Sequence, residues 1–318
     1  MIKKGEKDMG IIIVSIMLCI ILIILYLFIG NYFYNNSLNP KKDKEFAVGE
    51  LKQTDEQLKK QEEEKKWLSD NSKDVYIVST NNGNLKLHAY EINSNTGSNV
   101  WAITIHGYTC NGREMSEFAH EFNKKGYNVL APDLRGHGLS EGDYIGMGWH
   151  DRLDIIDWIN YIVEKNHESK IIIFGLSMGA ATTMMTTGEK LPSNVKLAIS
   201  DCGYTSVWDE FSFQLKRKYK LPEFPVLYAS NSSCRKHANY SFKEASSVEQ
   251  VKKSNTPTLF IHGDADDFVP FKMLDTVYNS ASCKKEKLVI ENAGHAMASS
   301  INPELYWSTI DNFINKYL

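Results

Sequence analysis

The stretch Lys170-Ile171-Ile172-Ile173-Phe174-Gly175-Leu176-Ser177-Met178-Gly179-Ala180-Ala181 decides how the rest of the chain is read. Ile171 to Phe174 is a short, continuous apolar run rich in β-branched residues, the composition of a strand buried on both faces. Met178 to Thr187 is dominated by Gly, Ala, Met and Thr and reads as a helix. Between them, Gly175, Ser177 and Gly179 form the pattern Gly-x-Ser-x-Gly. A serine on a sharp strand-to-helix turn is strained and holds its hydroxyl out, and the glycines remove β carbons that would collide with neighbouring chain. The amide after the serine, that of Met178, then points at the reacting centre, where the helix N-terminus adds positive potential. The five-residue pattern alone is unspecific. A buried strand before it and a small-residue helix after it favour a nucleophile elbow over an ordinary glycine-rich turn.

Far upstream, residues 1–8 form a short lysine-bearing tail (Lys3, Lys4, Lys7), and residues 9–30 read as a transmembrane anchor. Ile11 to Ile29 is apolar except for Ser15. About 20 helical residues at ~1.5 Å rise cross a hydrocarbon core of ~30 Å. A cleaved signal peptide would have an apolar core of only ~7–15 residues and a small-residue cleavage site. Here Asn31-Tyr32-Phe33-Tyr34 follows instead, with aromatics suited to the membrane interface. The lysines nearest the span lie on its N-terminal side, which favours a cytoplasmic N-terminus and an extracytoplasmic remainder. Residues 31–70 read as a charged linker, broken by Pro40 and rich in Glu, Lys and Gln, suited to a solvated or surface-lying helix. Neither segment carries chemistry, so the domain that follows is expected to stand without residues 1–71.

Residues 71–318 suffice for one large α/β domain with a substantial core. The whole chain has a net charge of −3 and no basic stripe interleaved with aromatics, which argues against nucleic acid. Of the five cysteines, Cys19 lies in the span, and Cys110, Cys202, Cys234 and Cys283 show neither zinc-ligand spacing nor an obvious disulfide framework. Val75–Ser79 and Lys86–Ile92 read as a hairpin around Asn81-Asn82-Gly83-Asn84. Strands are expected at 100–105, 128–131, 195–200, 258–261 and 287–290. Helices are expected at 115–125, 150–164 and 303–318, the last with Pro303 in its first turn. A hairpin followed by alternating strands and helices argues for a mostly parallel sheet covered on both faces.

Ligands of such sheets bind beyond the carboxyl ends of the strands, and four strand ends carry suggestive residues. At His106-Gly107-Tyr108-Thr109, Gly107 would allow a sharp turn and aim the Tyr108 amide at the serine, pairing with Met178 as an oxyanion hole. The side chain of His106 is read as a packed histidine. In Asp133-Leu134-Arg135-Gly136-His137-Gly138-Leu139-Ser140, Asp133 and Arg135 are read as fixing neighbouring loops, and His137 is not favoured as a base because it precedes the serine on another loop. His262-Gly263-Asp264-Ala265-Asp266-Asp267-Phe268-Val269-Pro270 supplies carboxylates that can orient a histidine. It lacks the glycine and distal glutamate of a calcium loop, so no metal is expected. Asn292-Ala293-Gly294-His295-Ala296 places a histidine on a loop after the last strand, in the chain order Ser, Asp, His.

With these motifs together, the chain resembles the α/β-hydrolase superfamily, and within it the branch of monoacylglycerol lipases, serine aminopeptidases and membrane-anchored bacterial esterase-like proteins. The resemblance spans roughly Val75 to Leu318. It rests on His106-Gly107, on Pro132-Asp133-x-Arg135-Gly136-His137-Gly138-x-Ser140, on the elbow, on His262-Gly263-x-x-Asp266-x-x-Val269-Pro270 and on Gly294-His295. It departs at Cys110, where many relatives have a small residue. It implies Ser177 as nucleophile, His295 as base, Asp266 as its orienting acid, the Tyr108 and Met178 amides as oxyanion donors, an ester or acyl substrate, and neither cofactor nor metal. Strand position cannot choose among Asp264, Asp266 and Asp267. Asp264 still belongs to the chain leaving the strand, Asp267 faces the other way from Asp266 in an extended loop, and Asp266 has the family spacing.

Residues 203–242 form an insertion carrying Tyr204, Trp208, Phe211, Phe213, Tyr219, Phe224, Tyr228 and Tyr240, interleaved with Lys216, Arg217, Lys218 and Lys220. In this fold it resembles a lid, read either as an apolar substrate channel or as a cap packed on its own aromatics. Peptidase or thioesterase chemistry on the same triad, and a non-catalytic membrane-tethered binding protein, are the alternatives. The substrate and the oligomeric state are not readable from the sequence.

Overall fold

A computed structural model of the chain describes residues 2–42, 44, 55–80 and 83–318. The strands are β1 (Lys73–Val78), β2 (Lys86–Ile92), β3 (Val100–Ile105), β4 (Asn128–Pro132), β5 (Lys170–Leu176), β6 (Val195–Asp201), β7 (Thr258–Gly263) and β8 (Lys285–Ile290). They form one sheet in the order β1-β2-β4-β3-β5-β6-β7-β8. β1 pairs antiparallel with β2, and β2 antiparallel with β4; every other pairing is parallel. The expected Asn-Gly hairpin joins β1 to β2, although Asn81 and Asn82 of its turn lie outside the described residues.

The helices are α1 (Ile2–Leu38), α2 (Asp55–Asn71), α3 (Ser116–Lys124), α4 (Asp151–Lys165), α5 (Met178–Thr187), α6 (Val207–Gln214), α7 (Val226–Ala238), α8 (Ser247–Val251), α9 (Lys272–Ser280), α10 (Ala298–Ile301) and α11 (Pro303–Tyr317). They cover both faces of the sheet, because the central strands are apolar on both. In β5, Ile171 and Ile173 point into the core under α4, α5 and α9, while Ile172 and Phe174 point into the core under α3 and α11. β3 alternates likewise, with Trp101, Ile103 and Ile105 on one side and Val100 and Ala102 on the other. That double burial explains why these strands read as unbroken apolar runs.

The N-terminal segments correct one expectation. Among the described residues, the helix Asp8–Leu38 alone is long and apolar enough to cross a membrane. Ile11, Val14 and Phe28 stand exposed on it, but it does not end where the apolar run ends. It continues to Leu38, and Tyr34 and Leu38 are buried in the same core as β3 and β5. Ile145 donates its amide to the Leu38 carbonyl at 2.8 Å. α2 is also attached: Leu68 is fully buried in the other core, and Trp67 stacks on His120 of α3 at 4.0 Å. Removing residues 1–71 would therefore strip buried side chains from both cores. The charge run hid this: Leu68 and Trp67 are two apolar contacts in an otherwise polar helix, and Lys60, Glu64 and Lys65 pair with Glu117, His120 and Glu114.

Between β6 and β7 the chain leaves the sheet to build α6, a π-helical turn at Leu215–Tyr219, and α7. The aromatic residues of this insertion range from buried to exposed, with Trp208, Phe211 and Phe213 half-buried between the extremes. Tyr204 and Tyr240 are buried and hydrogen-bond the backbone at Met147 and Ile145. Tyr219, Phe224 and Tyr228 are exposed.

Candidate active site

Ser177 lies between β5 and α5 with φ 57° and ψ −115°, a conformation that L-residues with side chains avoid. Its surroundings enforce that strain. Its amide donates to the Asp201 carbonyl at 2.9 Å, and its carbonyl accepts from the Ala181 amide at 3.0 Å. The two flanking glycines are required by close approach: a β carbon on Gly175 would lie 2.1 Å from the Gly179 carbonyl oxygen, and one on Gly179 would lie 2.1 Å from that of Ile105. The elbow thus wedges α5 against the ends of β3 and β5. Met178 is the first residue of α5, so its amide has no preceding helical turn to bond to.

His295 reaches Ser177 from the loop after β8. Its Nδ1 lies 2.8 Å from Asp266 Oδ2, and its Nε2 lies 2.8 Å from Ser177 Oγ. The carboxylate can only accept, so Nδ1 carries the proton and Nε2 offers a lone pair to the serine hydroxyl. Asp266, in the loop after β7, is held by four donors. The amides of Phe268 and Val269 bond Oδ1, both at 2.9 Å. His262 Nε2 adds a second imidazole to Oδ2 at 3.0 Å, and also donates to the Val269 carbonyl at 3.1 Å. Burial alone would raise the Asp266 pKa, but the hydrogen bonds and charges of His262 and His295 outweigh it and hold the carboxyl well below the usual carboxylate range. The carboxylate therefore stays ionised beside the imidazole.

The other two aspartates of that loop do different work. Asp264 accepts the amide of Asn292 at 2.7 Å, tying the β7 loop to the loop of His295 rather than closing a turn on its own segment. Asp267 is exposed and pairs with Arg217 of the insertion at 2.9 Å.

The loop after β3 runs beside the serine: a β carbon on Gly107 would sit 3.4 Å from that of Ser177 and 3.9 Å from its hydroxyl. The sharp turn expected at Gly107 is taken by Thr109, which has φ 66°, whereas Gly107 keeps the space beside the hydroxyl clear. His106 pins this loop. Its Nδ1 donates to the Gly107 carbonyl at 2.7 Å, and its Nε2 accepts the Leu134 amide at 3.0 Å. Burial lowers the His106 pKa, so the ring is neutral and the two bonds set its tautomer. Tyr108 donates its hydroxyl to the Ser37 carbonyl of α1 at 2.5 Å. Cys110 keeps a neutral thiol, since burial pushes its pKa up to about 11.

The loop after β4 is a brace. Asp133 accepts the amides of Gly112 (2.7 Å) and Leu139 (2.8 Å) and contacts His88 Nδ1 at 2.7 Å. Arg135 forks both oxygens of Asp154, each at 2.7 Å, in a fully buried pair. Removing one partner of such a pair typically costs about 3–5 kcal/mol. His137 lies in the same brace, bonded to the Arg135 carbonyl at 3.1 Å, and burial, with His106 beside it, lowers its pKa to about 3. It does not join the serine.

Two residues at the site were not assigned from the sequence. His262 was visible only as a landmark, although a histidine at a strand end four residues before an aspartate is a usable signal. Phe268 lies with its ring 4.9 Å from that of His295, and nothing in its sequence context marks it.

Comparison with known proteins places the chain in a superfamily. The profile of the family described as serine aminopeptidase, S33, matches residues 100–222. A thermostable monoacylglycerol lipase of Bacillus sp. (strain H-257) is 31% identical over 212 residues, covering 62% of this chain and 82% of the lipase. The Bacillus subtilis protein YqkD is 29% identical over 214 residues, covering 67% of this chain and 70% of that protein. Among solved structures, the Pyrococcus furiosus esterase Pf2001 superposes with a TM-score of 0.63 at 26% identity, covering 79% of this chain and 95% of the esterase. With its elbow, sheet order and strand-end loops, this chain belongs to the α/β-hydrolase superfamily, and it is a hydrolase.

Proposed function

We propose that the chain is a membrane-anchored serine hydrolase of carboxylic esters, working through an acyl-enzyme on Ser177. The observation that carries this reading is the hydrogen-bonded line from Ser177 Oγ through His295 to Asp266. The relatives described as a monoacylglycerol lipase and an esterase support an ester as the substrate. Ser177 Oγ attacks the ester carbonyl while His295 Nε2 takes its proton, and the resulting imidazolium is stabilised by Asp266. The Tyr108 and Met178 amides face the oxyanion. As the tetrahedral intermediate collapses, His295 returns the proton to the departing alcohol and leaves an acyl-serine. Water, deprotonated by the same imidazole, then releases the acid and restores Ser177.

Residues 9–30 serve as the anchor behind the 1–8 tail, with the N-terminus cytoplasmic and the domain of residues 71–318 outside. The 31–70 segment connects them, and the 203–242 insertion acts as the lid. The test is turnover of a model ester by the full chain and by Ser177→Ala. Loss of the serine should lower kcat on the order of 10⁶-fold without changing the circular dichroism spectrum. Retained turnover would end the serine-hydrolase reading.

A further inference from the structure

α1 does more than approach the insertion: it packs along α7. Tyr26 OH lies 3.0 Å from Ser232 Oγ, and Ser233 Oγ donates to Asn31 Oδ1 at 3.2 Å. Gly30 lets the two helices approach, since a β carbon there would lie 2.4 Å from the Ala229 carbonyl oxygen. Phe33 meets the edge of Tyr219 at 5.4 Å, and Tyr34 lies against the His237 ring at 5.2 Å. Beside this contact a narrow crevice remains, partly open to solvent. Phe33 and Ser37 of α1 form one wall, and Phe211, Leu215, Tyr219 and Leu227 of the insertion form the other.

Both walls lead inward to the strand-end loops. Ser37 accepts the hydroxyl of Tyr108, whose amide belongs to the loop beside Ser177. Gln214, also in the lining, donates to the Phe268 carbonyl at 2.9 Å, and Phe268 lies against His295. The outer end has the opposite character. Tyr219, Leu221, Phe224 and Tyr228 are exposed there, with the basic residues Lys216 and Lys220 close in the chain. Exposed aromatics beside cations suit the bilayer–water boundary. The insertion touches α1 from Tyr26 onward, at the end of the apolar span, and so at that boundary.

We propose that this crevice is the acyl-chain site of the enzyme, and that its occupant is the long acyl chain of a bilayer-borne ester, passed from the membrane to Ser177 between the anchor helix and the insertion. The anchor is then a wall of the substrate site as well as a tether. This rests on the esterase reading. Its chemistry is the directness of the path: an acyl chain sliding from lipid into an apolar crevice exposes little apolar surface to water, whereas one crossing solvent loses roughly 0.8 kcal/mol per methylene.

The full chain, reconstituted in phosphatidylcholine vesicles, is assayed with p-nitrophenyl palmitate and p-nitrophenyl butyrate. Leu227→Trp fills the crevice, and Gly30→Leu forces α1 off α7. Each should lower the palmitate-to-butyrate ratio of kcat/KM at least tenfold, and an unchanged ratio in both would overturn the proposal. A second readout needs neither turnover nor a tolerated core substitution. A diazirine-bearing palmitoyl ester in the same vesicles, photolysed with the Ser177→Ala chain, should label the inward-facing Phe211 and Leu215. Label confined to the lipid-facing side of α1 would overturn the proposal even with the esterase reading intact. Label on Phe211 and Leu215, with no ester turned over by the unaltered chain, would uphold the crevice as an acyl site and defeat the esterase reading.

Discussion

The strand-end loops and the insertion packed on α1 are held by different forces. In the loops, directional hydrogen bonds and backbone strain set the geometry: four donors surround one carboxylate of Asp266, and Ser177 stays at φ 57° because neighbouring backbone leaves no alternative. In the insertion, the contacts with α1 are between small and apolar residues, Gly30 on Ala229 and Phe33 on Tyr219, with few polar bonds. Directional bonds fix atoms to within fractions of an ångström, as proton transfer requires. Apolar packing fixes volume and shape instead, as selection of an acyl chain requires. Changes in the first region should therefore appear in kcat, and changes in the second in selectivity or stability.

The largest contrast lies within the loops themselves. Asp266→Asn should lower turnover by about 10⁴, because an amide in place of the carboxylate favours the wrong imidazole tautomer. Asp267→Asn removes only an exposed ion pair, worth about 0–1 kcal/mol, and should leave kcat within a few-fold. Asp264→Asn should fall between them, since it weakens a single tie to Asn292. Steady-state kinetics on the three variants checks the ranking. A silent Asp264→Asn beside an active Asp266→Asn would reassign the acid and leave the fold untouched. Next in size comes the tenfold selectivity change expected on filling the crevice.

The smallest effect concerns Glu210 of α6. This carboxyl is buried; Gln214 donates to one oxygen at 2.8 Å, while the other has no partner among the described residues. Burial pushes its pKa up to about 8, with the charge of Asp266 adding to the rise and Arg217 opposing it. The folded chain therefore holds a proton that the unfolded chain has released. From the ordinary glutamate range near pH 4.5 up to about pH 8, stability falls as pH rises. Asp151 and Asp201, raised by burial to about 7 and about 6, contribute in the same direction and are common to any pair of variants compared. Glu210→Gln should thus show a smaller fall in Tm between pH 5 and pH 9 than the unaltered chain. Equal falls would mean that Glu210 does not carry its proton in the folded state.

The same contrast explains what was legible in the sequence. Ser177, Asp266 and His295 stand out because the proposed chemistry demands particular residue types at strand ends, and glycines such as Gly175 and Gly179 mark where backbone crowds. The central strands were legible because burial on both faces leaves no polar positions in them. The docking of α1 was not. An apolar span shows no period that separates its exposed side from its packed side, so Gly30 reads like any other glycine. Leu68 was hidden by the charged residues around it. The helix α9 went unread because its buried Met273, Leu274 and Val277 sit in a short polar segment. His262 lay in plain view, but its bond to Asp266 depends on how the loop folds back, which spacing alone does not reveal.

Ser177 is proposed as the nucleophile, made reactive by His295 and Asp266. Labelling of the full chain by a fluorophosphonate, read by intact mass and peptide mapping, tests it most directly. One adduct per chain is expected, on Ser177, absent in Ser177→Ala and formed far more slowly in Asp266→Asn. An adduct on another residue, or none on a chain that still hydrolyses esters, would contradict it.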